Sequence, residues 1–487
     1  MKKNQECTPL LDTLINHARK KVTSFHTPGH KNGHGVDKKL RNFTGPNIYA
    51  LDVTVFPEVD SLHDPVSCIR QAQKLMAEAY RVEHSFFLVN GSTVGNEAMF
   101  LSACNPGDSV ILSRNAHKSA LSSIILSGVW PIWLQPQVDQ NLDVILESSP
   151  DQIAQALKQY PEAKAVFVTS PTYNGVTTDL LEIAEIVHRS GKILLVDEAH
   201  GPHLRFHRDF PISGVEAGAD LVVQSVHKIL SALSQGSVLH FNSKLVDLNR
   251  VRRVVSLLQT TSPNYFILAS LDMARRQAAT QGEALFTMVM SAAEEARKKI
   301  NRLKNIFCFT REDIRSLGYD LDVTKLTINV TKTGFSGFDL EDLLTKKYNI
   351  QVDCADLFNL IAIMGIGSTH SDVGKLVSAL KEIDRSDRGE EKNERLQIPS
   401  LSTEMVMMPR DVFLSNKTKR VSLRKAIGYI SAQTLTPYPP GIPVLIPGER
   451  ITKEICSYLL DLVEKDIRFS GQESDTLKSI QVVDVKQ

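Results

Sequence analysis

Lys228 closes the stretch Ser225-Val226-His227-Lys228, directly after an apolar run over residues 219–223 that reads as a short buried strand. A Ser/Gly-rich loop follows to Gly236, and a second apolar run spans residues 237–241. An amine at the mouth of a buried strand, stripped of water or flanked by a cation, loses its proton more easily and becomes a nucleophile toward an aldehyde. A solvated loop lysine would have the same local sequence, so other residues must decide between the two readings. Asp197 ends the apolar run over residues 193–196, and a buried carboxylate there needs a cationic or hydrogen-bonding partner. A protonated ring nitrogen is one such partner, and the next element in need of a cap is another. Asn90-Gly91-Ser92-Thr93 joins a strand to a helix, so free N–H groups beside two hydroxyls could cradle a phosphate. Such turns also occur without phosphate, and the dinucleotide fingerprint GxGxxG is absent. His117 follows a strand over residues 109–113, on the ligand side of an open α/β sheet, where it either lines a site or caps a helix. His26-Thr27-Pro28-Gly29-His30-Lys31 is a turn that either lines a site or lies on the polar surface.

Taken jointly and in order, these features are a phosphate loop, a strand-end histidine, an Asp-x-Ala-His and a Ser-x-His-Lys. They describe a pocket for an aromatic aldehyde that carries a phosphate and a basic ring nitrogen. Pyridoxal 5′-phosphate has all three groups, and enzymes bind it through a lysine Schiff base and an acidic partner to the ring nitrogen.

The elements that must position these residues alternate between strand and helix from residue 86 to 241, which predicts a mostly parallel sheet covered on both faces. Before them lie a helix over residues 9–21 and an amphipathic helix over 65–80. A strand over 165–170 and a helix over 180–190 precede the Asp197 strand. Helical patterns then cover residues 243–258, 265–290 and 292–305. From 306 to 384 the pattern is α+β, with strands at 326–330 and 359–364 and a helix at 339–347. Residues 385–400 are charge-rich and weakly apolar and read as a linker. A C-terminal module, 401–487, centres on residues 436–449, whose five prolines and two glycines forbid helix. The expected division is therefore 1–62, 63–305, 306–384, the linker and 401–487.

Composition sets the outer limits. The 487 residues suffice for a large core and more than one domain. A net charge of +1 implies no nucleic-acid or other polyelectrolyte partner. No apolar run approaches a membrane span, and the N-terminus lacks a signal core. Six scattered cysteines without a CxxC pair argue against zinc and against a disulfide framework and fit a reducing cytoplasm. No metal site is expected.

Over most of its length the chain resembles the pyridoxal-phosphate-dependent ornithine/lysine/arginine decarboxylases of fold type I, in their shorter biosynthetic branch. The resemblance is carried, in family order, by His26–Lys31, Asn90-Gly-Ser-Thr-Val-Gly-Asn96, Arg114-Asn-Ala-His-Lys-Ser119, Val196-Asp-Glu-Ala-His-Gly201, Ser225–Lys228, Thr260-Thr-Ser-Pro263 and Tyr438-Pro-Pro-Gly-Ile-Pro443 with Pro447-Gly-Glu449. It implies an aspartate-aminotransferase-like large domain with smaller α+β domains, a carboxy-lyase activity in polyamine biosynthesis, and at least a homodimer. Lys228 would form the Schiff base and Asp197 would pair with the pyridinium nitrogen. His117 would stack on one ring face and Ala199 on the other. Ser92, Thr93, Ser225 and His227 would hold the phosphate, His200 would lie near the reacting centre, and Thr261 and Ser262 would approach a cofactor phosphate across the dimer interface. The shorter branch favours arginine, yielding agmatine, over lysine and ornithine. Asp353 stands where the family pattern has Glu, and Tyr429 and Gln433 stand where Arg and Glu are frequent. A basic substrate needs a distal carboxylate, for which Asp353, Asp356 and Glu449 are candidates. An aminotransferase-like reaction and a non-catalytic cofactor-binding regulator are the competing readings.

Overall fold

The computed structural model describes residues 2–385, 403–438, 442–464, 468–470 and 477–484. The expected linker therefore lies outside the described residues, apart from Arg385, as do residues 439–441 of the proline-rich segment.

Seven strands make the central sheet: β1 (His84–Leu88), β2 (Ser109–Ser113), β3 (Trp130–Leu134), β4 (Ala165–Thr169), β5 (Ile193–Asp197), β6 (Leu221–Gln224) and β7 (Ser237–Phe241). Across the sheet they run β1-β7-β6-β5-β4-β2-β3. Pairings from β6 to β3 are parallel, whereas β7 is antiparallel to both of its neighbours. A parallel return needs a long crossover, usually helical. The segment between β6 and β7 contains only the one-turn helix Val226–Ile229, so the chain turns straight back and Lys228 sits in the resulting hairpin.

Alternation along each strand divides the core in two. Phe87, Ile111, Val166, Leu194 and Val222 face one hydrophobic cluster, while Leu88, Leu112, Phe167, Leu195 and Val223 face the other. On the second face the helix Gly91–Ala103 packs so closely that a Cβ on Gly95 would lie 2.2 Å from Val223 Cγ2. On the first face lies the helix Tyr265–Ile300, which also holds the N-terminal segment. Arg275, fully buried, donates to the carbonyls of Gln5 and Cys7 and to Asp272, and Asp272 in turn accepts from the Leu10 N–H.

Several helix boundaries differ from the sequence reading: the first helix ends at Arg19, the amphipathic helix begins at Cys68, and the pattern carried to 305 ends at Ile300. The patterns at 265–290 and 292–305 are one helix, because Ser291 is no helix stop and Val289, Ala292, Ala293 and Ala296 continue the buried stripe. The helix expected from residue 243 begins at Leu248 with Asp247 as its cap. Ser243 is diverted into a turn, its hydroxyl donating to Asp220 and accepting from the Leu245 and Val246 N–H groups.

Residues 306–385 form an antiparallel four-stranded sheet, in spatial order Phe307–Cys308, Lys325–Asn329, Asn359–Ile363 and Cys354–Ala355. Its apolar residues, such as Ile328 and Leu360, join the first core cluster. The C-terminal part has its own cluster, built from Leu423, Leu445, Ile455, Leu459 and Ile480, around the paired strands Thr418–Ser422 and Ser479–Val483. A buried ion pair clasps it to the large domain. Arg114 reaches Glu449 with two N–H···O bonds of 2.6 and 2.7 Å and also donates to the Pro443 and Val444 carbonyls. Among the described residues no helix is long and apolar enough to cross a membrane.

Removing one partner of a buried pair strands the other charge. Glu449→Gln is therefore expected to lower stability by about 3–5 kcal/mol, read as an earlier urea unfolding transition. A transition unchanged from the parent would show that the clasp carries no load.

Candidate active site

The predicted chemistry-bearing side chains converge at the carboxyl edge of the central sheet, because each follows a strand or closes it. Asp197 ends β5, Ser225 to Lys228 follow β6, His117 follows β2, and Ser92 opens the helix after β1.

The helix start has the features of an anion cradle. Gly91 takes the left-handed conformation, φ +71°, which a side chain would strain. Its N–H donates to the Gln235 carbonyl. The N-cap residue Asn90 makes no side-chain cap, unlike Ser149, Asp179 and Asn264 at other helices, so the first-turn amides are not satisfied from there. Ser92 Oγ lies 2.7 Å from Ser225 Oγ and 3.4 Å from Ser237 Oγ, which groups three hydroxyls beside those amides, and Thr93 is exposed next to them. His227 Nδ1 lies 2.9 Å from the Gly236 carbonyl, which can only accept, so that nitrogen carries the ring proton. Burial lowers the pKa of His227.

Asp197 is 3% exposed, and its two oxygens accept from the Asn96 side-chain amide at 2.8 Å and from the Ala199 N–H at 3.1 Å. Asn96 lies in the Asn90–Asn96 segment but received no role from sequence. Its signal was the spacing of four from Ser92, which puts both on one face of the helix.

Lys228 Nζ lies 2.8 Å from His200 Nε2. Burial lowers the lysine's pKa and Asp197 opposes that; Lys325 lowers it further and Asp353 raises it. His200 is pushed well below its ordinary value, first by burial and then by Lys228 and Lys325. Its ring lies 4.6 Å from that of Tyr173, and its Nδ1 is buried without a partner among the described residues. Beneath it, Lys325 Nζ donates to the His200 carbonyl at 3.0 Å and to Asp322 at 2.6 Å. Asp322 also lies 3.1 Å from His203 Nε2; burial raises its pKa, but the hydrogen bonds and charge of its two partners prevail and hold the carboxyl far below the usual range. Sequence reasoning missed this triad, since nothing near residue 325 in the chain announces a contact with residue 200.

A cleft of about 520 Å³ opens over these groups, lined by Tyr173, His200, His227, Lys228, Asp353 and Ile363 among others. Of the three candidate substrate carboxylates, Asp353 alone lines it. Asp356 accepts from the Phe358 and Asn359 N–H groups, both at 2.7 Å, and so builds the turn between two strands. Glu449 is spent on Arg114 and the Ile446 N–H. Both have structural jobs, which corrects the expectation for them. Thr261 and Ser262 are exposed in the loop after Gln259 and do not line this chain's cleft. An amine, a facing carboxylate, a neutral imidazole and an uncapped helix start with hydroxyls fit an aldehyde that bears a basic ring nitrogen and an anionic arm.

Comparisons with known proteins place the family and the fold. Residues 8–372 match the family model described as Orn/Lys/Arg decarboxylase, major domain, and residues 393–481 match that family's C-terminal domain. The chain is 39% identical to an arginine decarboxylase of Bacillus subtilis, over 99% of this chain and 98% of that protein. It is 27% identical to the inducible lysine decarboxylase of Escherichia coli, over 96% of this chain and 79% of that one. The structure of the Francisella novicida lysine decarboxylase superposes with a TM-score of 0.86 at 23% identity, covering 99% of this chain and 82% of that one. By matches that span nearly its whole length, the chain belongs to the Orn/Lys/Arg decarboxylase family.

Proposed function

We propose that this family member is a pyridoxal-phosphate-dependent arginine decarboxylase that releases CO₂ and agmatine. The observation that carries the reading is that Lys228 and His200, 2.8 Å apart, line one cleft with Asp353, the one acidic side chain on its wall among the described residues, while the charge of the buried Asp197 acts on the Lys228 amine. Arginine is preferred over lysine because the relative at 39% identity bears that name, whereas the lysine decarboxylase stands at 27%.

When bound, the cofactor supplies an aldehyde and a ring that draws off the electron pair of the bond to CO₂. Lys228 is the amine for that aldehyde, since burial weakens its hold on the proton. Asp197, kept as an acceptor by Asn96 and Ala199, would hold the ring nitrogen protonated. His117 would cover one ring face and Ala199 the other, and Ser92, Thr93, Ser225 and His227 would take the phosphate. His200 stays neutral and, across 2.8 Å, offers the Lys228 amine a hydrogen-bond partner that orients it toward the cleft. Asp353 would accept from the distal guanidinium, which two parallel N–H groups suit.

The same reading makes the working unit at least a homodimer in the cytoplasm. Phe25 and Phe43, 93% and 91% exposed, lie in the N-terminal segment, where a second copy would cover them. Thr261 and Ser262 would then reach the neighbour's cofactor phosphate.

Carboxyl-labelled arginine, lysine and ornithine test the reaction. Label should leave arginine as CO₂, and Lys228→Ala should abolish release. Release from lysine or ornithine instead would move the substrate, and amino transfer without CO₂ would move the reaction. In Asp353→Asn the KM for arginine should rise by about 10- to 100-fold, the worth of one charge-assisted hydrogen bond. An unchanged KM would remove Asp353 from the substrate site.

A further inference from the structure

His117 and Asp197 belong to the ends of different strands, yet one chain of hydrogen bonds joins them through the side chains of Asn96 and Ser119. Asn96 is 1% exposed and Ser119 is 2% exposed. The Asn96 amide nitrogen lies 2.8 Å from Asp197 Oδ2 and 2.8 Å from Ser119 Oγ. A carboxylate only accepts, so the amide must present its nitrogen to Asp197, and its two N–H groups are both donated, one to each partner. Ser119 Oγ thus accepts from Asn96, and its own proton is free for His117 Nδ1, 2.8 Å away. The Ser119 backbone N–H converges on the same nitrogen at 3.2 Å. A ring nitrogen that receives two donors carries no proton.

We propose that Asn96 and Ser119 are positioning residues that fix His117 as the neutral tautomer with its proton on Nε2, while the same Asn96 amide keeps Asp197 Oδ2 a hydrogen-bond acceptor. One amide thereby sets the hydrogen-bond direction at both groups, each of which is left as an acceptor. The benefit rests on the reading above, in which His117 lies against the cofactor ring. An imidazolium stacked on a ring whose nitrogen is protonated would repel that charge, whereas a neutral imidazole leaves it to Asp197. The surroundings act in the same direction on balance. Burial lowers the pKa of His117, Asp197 raises it, and Lys228 and Lys118 lower it, with His200 in the same field.

Long-range proton–nitrogen correlation on the full-length, ¹⁵N-histidine-labelled protein tests this, with and without pyridoxal phosphate. The His117 signal is identified by its loss in His117→Gln. The wild-type ring should be protonated at Nε2 and bare at Nδ1 at neutral pH in both states, a measurement that needs no folding-sensitive variant. Ser119→Ala removes one donor to the neutral form, so the protonation midpoint should rise by roughly one pH unit, the equivalent of one hydrogen bond. Asn96→Asp sets a second carboxyl 2.8 Å from both Asp197 and Ser119, so the two carboxyls share a proton, the Ser119 hydroxyl can turn from Nδ1 to the new oxygen, and the His117 midpoint should rise. A wild-type ring protonated at Nδ1, or a midpoint unmoved in both variants, would overturn the proposal. Failure of CO₂ release with the tautomer as described would sink the assigned reaction alone, and the converse pair of results would sink the relay alone.

Discussion

The cleft hangs on a buried ammonium. Lys325 has no solvent exposure, and its charge is met by Asp322 at 2.6 Å and by the His200 carbonyl at 3.0 Å. An unpaired charge there would be prohibitively costly, so the three groups must stay together once the core closes. Their neighbours leave little freedom. Arg297, from the long helix, donates to the Val323 and Lys325 carbonyls at 2.8 and 2.6 Å. The turn after β4 packs against the same residues, and a Cβ on Gly175, which has φ +88°, would lie 2.8 Å from Lys325 Cβ. The central sheet, the long helix and the small sheet therefore meet at one charge, and His200 is positioned by its backbone where they meet.

That arrangement also explains how the Lys228 amine can be reactive. Lys228 and His200 lie 2.8 Å apart, so one nitrogen must donate and the other must offer a lone pair. With Lys325 fixed beneath them, protonating both would gather three cations in a desolvated space. Asp322 relieves this only in part: it raises the pKa of His200, but burial, Lys228 and Lys325 outweigh it, and its oxygens are already shared between Lys325 and His203. Asp197 and Asp353 pull the lysine toward its charged form, burial and Lys325 pull it away, and burial prevails. The site holds a lysine that is easier to deprotonate than usual, beside an imidazole too buried to compete for the proton.

Much of this was legible in the sequence wherever a group sits at the end of an apolar run. Lys228, Asp197, His117 and Ser92 each follow or close a strand, and a parallel sheet sends such ends to one edge. Asn96 and Ser119 were quoted within family segments, but their use depends on a partner on another strand, which no local pattern reveals. Lys325 and Asp322 were opaque for the same reason: their contact with His200 spans more than a hundred positions of chain. Two of the candidate substrate carboxylates misled in the opposite sense. Asp356 and Glu449 carry the right charge for a basic substrate, but charge alone does not say whether an arginine or a turn of backbone N–H groups has claimed it first.

The fate of Glu449 ties the C-terminal module to the chemistry. Arg114, which it clasps, lies three positions before His117 on the segment that leaves β2. Backbone bonds from Arg114 to the Leu134 carbonyl and from Ala116 to the Ser113 carbonyl stiffen that short span. Its far end is His117, whose ring nitrogen accepts from Ser119 at the start of the next helix. A module folded around a separate hydrophobic cluster is thus anchored a few bonds from a histidine at the sheet edge. Loosening the clasp would free the segment at its Arg114 end while Ser119 still held the other, so the module supports the placement of His117 at the sheet edge, although none of its described residues lines the cleft.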